Sequence, residues 1–234
     1  MEELSALFKF LSGIFGVVIA YLTYLTYRRS TKIKELEDEI YHLKRINLQI
    51  TSKVNPESDR RLISEAGKTI QIMGINALAP LHHCREELID FLKNKKGSIQ
   101  ILLLDPSKEW FQKRAGKEGD IVGRLKSEWI ASIKIIKDIS QIAEDHGKIE
   151  LKLYNTEPTR ALLIIDASEQ EPYKSRMLIN YYPLSPGTRG YEGGQFLAER
   201  SLIRDQDSFE RNLSYFSNLW AKSRSIDVNE INGE

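Results

Sequence analysis

The chain has 234 residues, of which 41% are hydrophobic, and its 34 basic and 33 acidic side chains leave a formal net charge of +1. This balance excludes a protein that coats nucleic acid by bulk positive charge, although local basic patches are compatible with it. Cys84 is the one cysteine, which excludes an internal disulfide and fits a reducing compartment. Length and composition predict one globular domain with an appendage.

The first predicted element is a membrane helix over residues 6–27, which is apolar apart from Lys9 and a few hydroxyl side chains. As a helix it would be about 33 Å long, which matches a hydrocarbon core of roughly 30 Å. A cleaved signal peptide is disfavoured because Glu2 and Glu3 come first and no small-residue cleavage site ends the segment. The basic residues that follow disfavour a core helix and predict a single pass through an inner membrane, with the N-terminus outside and the C-terminal domain cytoplasmic: Arg28, Arg29, Lys32 and Lys34.

One face of this helix carries small and polar residues at helical spacing: Lys9, Ser12, Gly16, Ala20 and Thr23. Small residues let membrane helices approach one another closely. Two interpretations stay open, namely simple dimer packing and an assembly of several copies that turn this face inward to line a pore. Both predict self-association in contact with membrane lipid.

A basic flank and a coiled-coil stalk are predicted over residues 28–55. Apolar residues and one asparagine alternate at the a and d positions of the heptads: Ile33, Leu36, Ile40, Leu43 and Asn47. Isoleucine at a with leucine at d favours a parallel coil, and a buried asparagine fixes its register. The alternative is a single amphipathic helix docked on its own domain. The coil would make the chain a parallel homo-oligomer, and Pro56 would end it.

The region from residue 59 to residue 224 has the pattern of a cytosolic α/β domain, in which helices cover both faces of a mixed sheet. Short apolar or alternating runs predict strands at 69–75, 98–104, 148–154, 160–166 and 176–181. Amphipathic periodicity predicts helices at 60–67, 81–95, 123–145 and 209–220. Residues 225–234 are predicted to be a flexible tail.

The order of these elements resembles the phospholipase D-like family. The resemblance rests on the strands at 70–74 and 97–106 with a helix between them, and on the segment 154–166. That segment looks like the strand that carries the family's HxKxxxxD signature. The resemblance covers roughly residues 59–220, and it implies a phospholipase D-like α/β fold behind the membrane helix and the stalk.

The signature itself departs from the family at the residues that carry the chemistry. In active members the histidine attacks phosphorus, the lysine holds phosphate oxygens and the aspartate supports the site. Aligned on Asp166, the histidine position holds Thr159 and the lysine position holds Ala161. A slip of one residue places Pro158 and Arg160 there, which supplies no nucleophile either. The sequence therefore predicts a protein that is not an enzyme, and no cofactor or metal site is expected.

A phosphodiesterase-like cleft without its nucleophile could still bind a phosphodiester, which is the ligand class that the resemblance implies. The candidate ligand residues are polar side chains expected at strand ends and in the glycine-rich loop 185–194: Arg114, Arg160, Asp166, Asn180, Tyr181 and Arg189. Arginine would hold phosphate, and tyrosine would stack on a nucleobase. The alternative is a surface loop whose glycines only make turns.

The whole arrangement resembles membrane effectors of antiphage defence. It predicts a membrane-anchored oligomeric sensor in which a nucleotide or an oligonucleotide binds the domain and controls the membrane helices, with an ion-conducting pore as one form of that assembly. Two alternatives stay open. One is a phospholipase D-like phosphodiesterase or nuclease, and the other is a ligand-free membrane anchor that recruits a partner protein.

Overall fold

The computed structural model describes residues 21, 23, 24, 26–29, 32, 56–119, 123–143, 146–168, 170–182 and 195–227. The chain divides into two compact units, Met1–Leu48 and Gln49–Glu234. In the first unit the described residues are helical and exposed. In the second unit they form an α/β fold around a single sheet.

The second unit begins with helices and strands in alternation. Its helices are α1 (Pro56–Glu65), α2 (Leu78–His83), α3 (Arg85–Lys95), α4 (Glu109–Lys117), α5 (Arg124–Ile142) and α6 (Ile203–Lys222). Its strands are β1 (Thr69–Gly74), β2 (Ser98–Leu104), β3 (Lys148–Tyr154), β4 (Arg160–Ile165), β5 (Arg176–Tyr181), β6 (Gln195–Glu199) and β7 (Arg224–Ile226). A short 3-10 helix, Pro172–Lys174, precedes β5.

The seven strands form one mixed sheet in the order β6-β5-β4-β1-β2-β3-β7. Strands β1, β2 and β3 are parallel, and Thr69 pairs with Ser98 at their start. Parallel neighbours need a crossover connection, which α2 and α3 provide once and α4 and α5 provide again. The remaining pairs are antiparallel, including the central pair of β1 and β4, in which Met73 lies opposite Leu162.

Different helices cover the two faces of the sheet. On one face α6 packs, since Lys152 Nζ donates to the carbonyl of Trp220 at 3.0 Å and Arg160 Nη1 donates to Asn212 Oδ1 at 2.6 Å. On the other face Gln195 Nε2 donates to Asp59 of α1 at 3.3 Å. Helix α1 packs on α2 and α3, and α2 packs on α5, so these four helices share that side. The central strands are consequently buried on both faces.

The mixed α/β sheet is present, and the strands predicted at 98–104, 148–154 and 176–181 have those bounds. The predicted helix 81–95 is instead two helices, because Cys84 leaves the helical conformation with φ −112° and ψ 23°. Three elements were not predicted: α4, β6 and β7. Strand β7 lies partly in the predicted tail and pairs with β3.

The predicted membrane helix is corrected by the structure. Among the residues that the structure describes, no helix has both the length and the apolar composition needed to cross a membrane. Most of the predicted span, 6–27, and nearly all of the predicted stalk, 28–55, lie outside the described residues. The prediction of a span rested on one apolar run. The inner-membrane location and the ion-conducting assembly depended on that span, so they are corrected together with it.

Candidate functional site

A cavity of about 440 Å³ lies in the second unit, at the end of the sheet where β1 stops. Ala161, Asn180 and Gln195 pair with one another across β4, β5 and β6, so their side chains point to the same face and form the floor. Gly74 ends β1 and also borders the cavity. Since Ala161 has only a methyl group, the space above this row stays open. A cavity of this size is typical of small-molecule sites.

The walls of the cavity are mainly apolar. They come from the turn after β1, from α2, from the first turn of α5 and from the neighbouring strands: Ile75, Leu78, Leu125, Leu163 and Leu178. Most of these side chains belong to the hydrophobic core, which extends to the cavity without a break. The cavity therefore offers a ligand a firm apolar wall, and polar groups line its floor and its rim.

A buried polar group stands out on the floor. The Oδ1 atom of Asn180 is shielded from solvent and has no hydrogen-bond partner among the residues that the structure describes. Next to it, Gln195 donates to Asp59, whose side chain is 5% exposed. Burial raises the pKa of Asp59 to about 6, and the hydrogen bond from Gln195 opposes that rise.

The rim of the cavity is a network of charged side chains that satisfy one another. Arg114 Nε donates to Glu118 Oε1 at 2.9 Å, and Arg124 Nη2 donates to Glu118 Oε2 at 2.7 Å. Arg124 Nη1 also donates to Glu128 Oε1 at 2.5 Å. Asn76 Nδ2 completes the network with a bond of 2.8 Å to Glu128 Oε2. Two cations and two anions thus cancel at the mouth.

Tyr182 supports the same end of the sheet. Its hydroxyl accepts the backbone N–H of Ile75 at 3.1 Å, and the guanidinium of Arg114 lies over its ring at 5.1 Å. Burial raises the pKa of Tyr182, so the hydroxyl stays protonated. This side chain holds the turn after β1 in place beside the cavity.

The predicted ligand residues fall into separate places. Asn180 lines the cavity, and Arg114 does not line it but donates to Glu118, which does. Arg160 and Tyr181 lie on the opposite face of the sheet, where the Arg160 guanidinium sits over the rings of Tyr181 at 5.3 Å and Tyr215 at 4.7 Å. The strand alternation that brings Asn180 to the cavity turns Tyr181 away from it.

Asp166 lies at the other end of β4 from Arg160. Its carboxylate accepts the backbone N–H groups of Gly67 at 2.7 Å, Lys68 at 2.7 Å and Thr69 at 3.0 Å. Its backbone is left-handed, with φ 46°, a conformation that aspartate tolerates better than most residues. We call this arrangement the Asp166 clasp; it joins the start of β1 to the end of β4.

Other predicted residues lie outside the described part of the chain. These are Arg189 of the glycine-rich loop and nine residues of the assembly face and stalk: Lys9, Ser12, Gly16, Ala20, Ile33, Leu36, Ile40, Leu43 and Asn47. Thr23 is described, and it is exposed on a helix. Within the described residues, no group of three histidine, cysteine, aspartate or glutamate side chains is placed to hold a metal ion.

The sequence did not single out Asp59 or Gln195. Asp59 lies in α1, where a carboxylate in the first turn is usually solvated. Gln195 opens a short strand that was not predicted.

Comparisons with known proteins give a likeness at the level of structure. No family model and no curated protein matches the chain. Among solved structures, the chain is similar to TrmBL2, an archaeal chromatin protein described as showing a novel mode of DNA binding. The identity is 14% and the TM-score is 0.43, over 89% of this chain and 68% of that chain.

The resemblance to the phospholipase D-like family is corrected, since no family model matches the chain. The resemblance rested on the order of strands and on a signature that lacks its histidine and lysine, so its residues could not carry it alone. The predicted membrane-anchored sensor and antiphage effector combined this family with a membrane span, and it is corrected together with them, since no family model matches and no described helix could cross a membrane.

Proposed function

We propose that the second unit is a non-catalytic binding module for a small organic molecule, which occupies the cavity between α1, α2 and the sheet. The observation that carries the proposal is the Oδ1 atom of Asn180, which is buried at an apolar cavity without a partner among the described residues. An unpaired buried acceptor costs about 1–3 kcal/mol. A hydrogen-bond donor on a ligand would remove that cost.

The state of the titratable groups supports binding rather than catalysis. Glu118 and Glu128 are held in ion pairs, and the hydroxyl of Tyr182 accepts a backbone hydrogen bond. Cys84 lies in the core nearby, and burial together with the negative charge of Asp59 raises its pKa to about 12. A thiol with that pKa carries almost no thiolate near neutral pH and is a poor nucleophile.

The test uses a substitution that fills the cavity from its floor. In the variant Ala161→Leu, the larger side chain should occupy the open space above the sheet and leave the fold intact, since the position is only partly buried. Small molecules released by denaturing the purified full-length chain are identified by mass spectrometry, and their rebinding is measured by calorimetry. Wild type should rebind a released compound that Ala161→Leu does not bind.

The control is Ile149→Leu, an isomeric change on β3 that does not border the cavity. It should rebind the compound as wild type does. Equal binding by wild type and by Ala161→Leu would contradict the proposed site.

Nucleic acid is the second candidate partner, and an aromatic surface on the other face of the sheet favours it. Tyr181 and Phe196 are 40% and 38% exposed, and their rings meet edge to face at 5.9 Å. Arg160 packs against Tyr181 and adds a positive charge. Exposed rings beside an arginine can stack the bases of a single strand, at about 1–3 kcal/mol per base.

This second function is tested with a fluorescent single-stranded DNA by anisotropy. Tyr181→Ala should weaken binding about tenfold if one base stacks on the ring, because tenfold corresponds to about 1.4 kcal/mol. Tyr173→Ala removes an exposed ring on the 3-10 helix and should leave the affinity unchanged. The same loss in both variants would show that binding does not use this surface.

A further inference from the structure

The charges around the cavity indicate which class of molecule it can hold. At the rim, the two carboxylates of Glu118 and Glu128 face the two guanidinium groups of Arg114 and Arg124 at distances of 2.5–2.8 Å. This network is neutral as a whole. It leaves neither arginine over for a phosphate or a carboxylate, and Asp59 is the lining carboxylate without an ion pair among the described residues. The other basic side chains of the lining are His82 and His83, which are exposed.

Asp59 has no basic partner among the described residues. Its one hydrogen bond in that part of the chain comes from the amide of Gln195 at 3.3 Å. The nearest arginine in sequence, Arg60, is turned to Glu57 at 3.2 Å and Glu87 at 3.7 Å, and its Nε donates to a backbone carbonyl. A buried carboxylate without a cation carries a desolvation cost that a positively charged partner would offset.

The Asp59 carboxylate and the unpaired Oδ1 atom of Asn180 lie close together. Gln195 donates to Asp59, and it is also the direct cross-strand neighbour of Asn180. Cross-strand neighbours have Cβ atoms roughly 5 Å apart. The Asp59 carboxylate and the Asn180 Oδ1 atom therefore flank one amide side chain, which suits a ligand that presents two N–H donors from one planar group.

We propose that the cavity binds an organic cation whose planar donor group, an amidinium or a guanidinium, donates to Asp59 and to Asn180 Oδ1. The apolar part of the molecule packs against Leu78, Leu125 and Leu178. This inference rests on the proposed binding function and names the chemistry of its ligand. Bidentate, charge-assisted hydrogen bonds of this kind are among the strongest that proteins form.

The same charges exclude an anionic ligand. An anionic ligand would place its charge beside a carboxylate and a carbonyl oxygen in a site of low dielectric constant, where like charges repel strongly. A neutral ligand would satisfy Asn180 but would leave Asp59 without a counter-charge. The expected order of affinity is cation, then neutral molecule, then anion.

Three compounds of matched shape test this order: benzamidine is a cation, benzamide is neutral and benzoate is an anion. Each is titrated into the 15N-labelled full-length chain at pH 7.5, and the side-chain amide signals of Asn180 and Gln195 are followed by NMR. Benzamidine should shift both signals and bind about tenfold more tightly than benzamide, which corresponds to about 1.4 kcal/mol. Benzoate should bind most weakly.

Two variants distinguish the effect of a charge removed at the site from the effect of a charge removed elsewhere on the protein. Asp59→Asn keeps the size of the side chain and should lower benzamidine affinity about tenfold while benzamide binds as before. Glu86→Gln removes the same charge from an exposed position of α3 and should change neither affinity.

Each outcome is decisive. If benzoate binds as tightly as benzamidine, or if Asp59→Asn and Glu86→Gln weaken benzamidine equally, the cation proposal fails while the cavity remains a binding site. If none of the three compounds shifts the two amide signals, the proposed function of the cavity fails as well.

Discussion

At the scale of single residues, the cavity depends on side chains that are buried although they are polar. The Asp59 carboxylate and the Oδ1 atom of Asn180 would be better solvated in water, and their burial lowers stability unless a partner compensates it. Asn180 was expected to bind a ligand because it stands near the end of a strand, and that remains a prediction. Asp59 could not be foreseen, since its burial arises from packing between α1 and a distant strand.

The pKa of Asp59 leads to a prediction about stability. Its folded-state pKa is about 6 and its ordinary value is 3.8, so the unfolded chain loses this proton at lower pH than the folded chain does. The free energy of unfolding should therefore fall as pH rises from about 4 to about 6, by up to about 3 kcal/mol, since one pKa unit equals about 1.4 kcal/mol. Urea unfolding of wild type and Asp59→Asn between pH 4 and pH 7 measures it.

Because other carboxyl groups titrate in the same range, the quantity to compare is the difference between the two proteins. Asp59→Asn should gain stability relative to wild type as pH rises through 6, and the difference should level off above that pH. A difference that does not vary with pH would contradict the buried, uncompensated state of this carboxyl.

At the scale of helices and strands, local patterns predicted most of the sheet. The runs at 98–104 and 148–154 are apolar or strictly alternating, and such patterns report strands directly. Strand β6 was missed because its five residues are too few to show a period, and β7 has only three. The break at Cys84 was missed because the apolar spacing of the segment continues across it.

The turn before β2 leads to a second prediction. A Cβ atom at Gly97 would lie 2.0 Å from Cζ of Phe91, a ring that is 1% exposed and cannot move freely. Gly97→Ala should therefore lower the free energy of unfolding by about 1–3 kcal/mol, the usual cost of overpacking. The control is Gly116→Ala in α4, where nothing lies within 4 Å of the added methyl group and stability should stay equal or rise. Thermal unfolding of the two variants distinguishes them.

At the scale of the whole second unit, the sheet joins parts that are far apart in the sequence. Strand β1 pairs with β2 on one side and with β4 on the other, about 90 residues later in the chain. The cavity is likewise built from segments that are distant in the sequence, because α1 and β1 provide one side of it and β4 to β6 provide the floor. A single local motif in the sequence could not predict such a site, since its residues meet only after the sheet is complete.

The Asp166 clasp gives a prediction at this scale. Its carboxylate satisfies three backbone N–H groups at the start of β1, so Asp166→Ala would leave three donors without their partner. We expect a loss of about 1–3 kcal/mol, because hydrogen bonds to a charged group contribute about 1.5–3 kcal/mol and water can reach the N–H groups of the exposed residues Gly67 and Lys68. Asp207→Ala, at an exposed position of α6, should change stability by less than about 0.5 kcal/mol. Similar denaturation midpoints for the two variants would contradict the clasp.

The central place of β1 also matters while the chain is being made. On the ribosome β1 emerges early, but the partner on its antiparallel edge follows only after two crossovers and a third strand. At roughly 5–20 residues per second, that edge waits several seconds with an apolar row of residues unpaired. Such an edge is a template for wrong pairing, so newly synthesised chains should depend on chaperones more than the finished fold would suggest. Slower translation between β3 and β4 should lower the soluble yield without altering the stability of the protein that does fold.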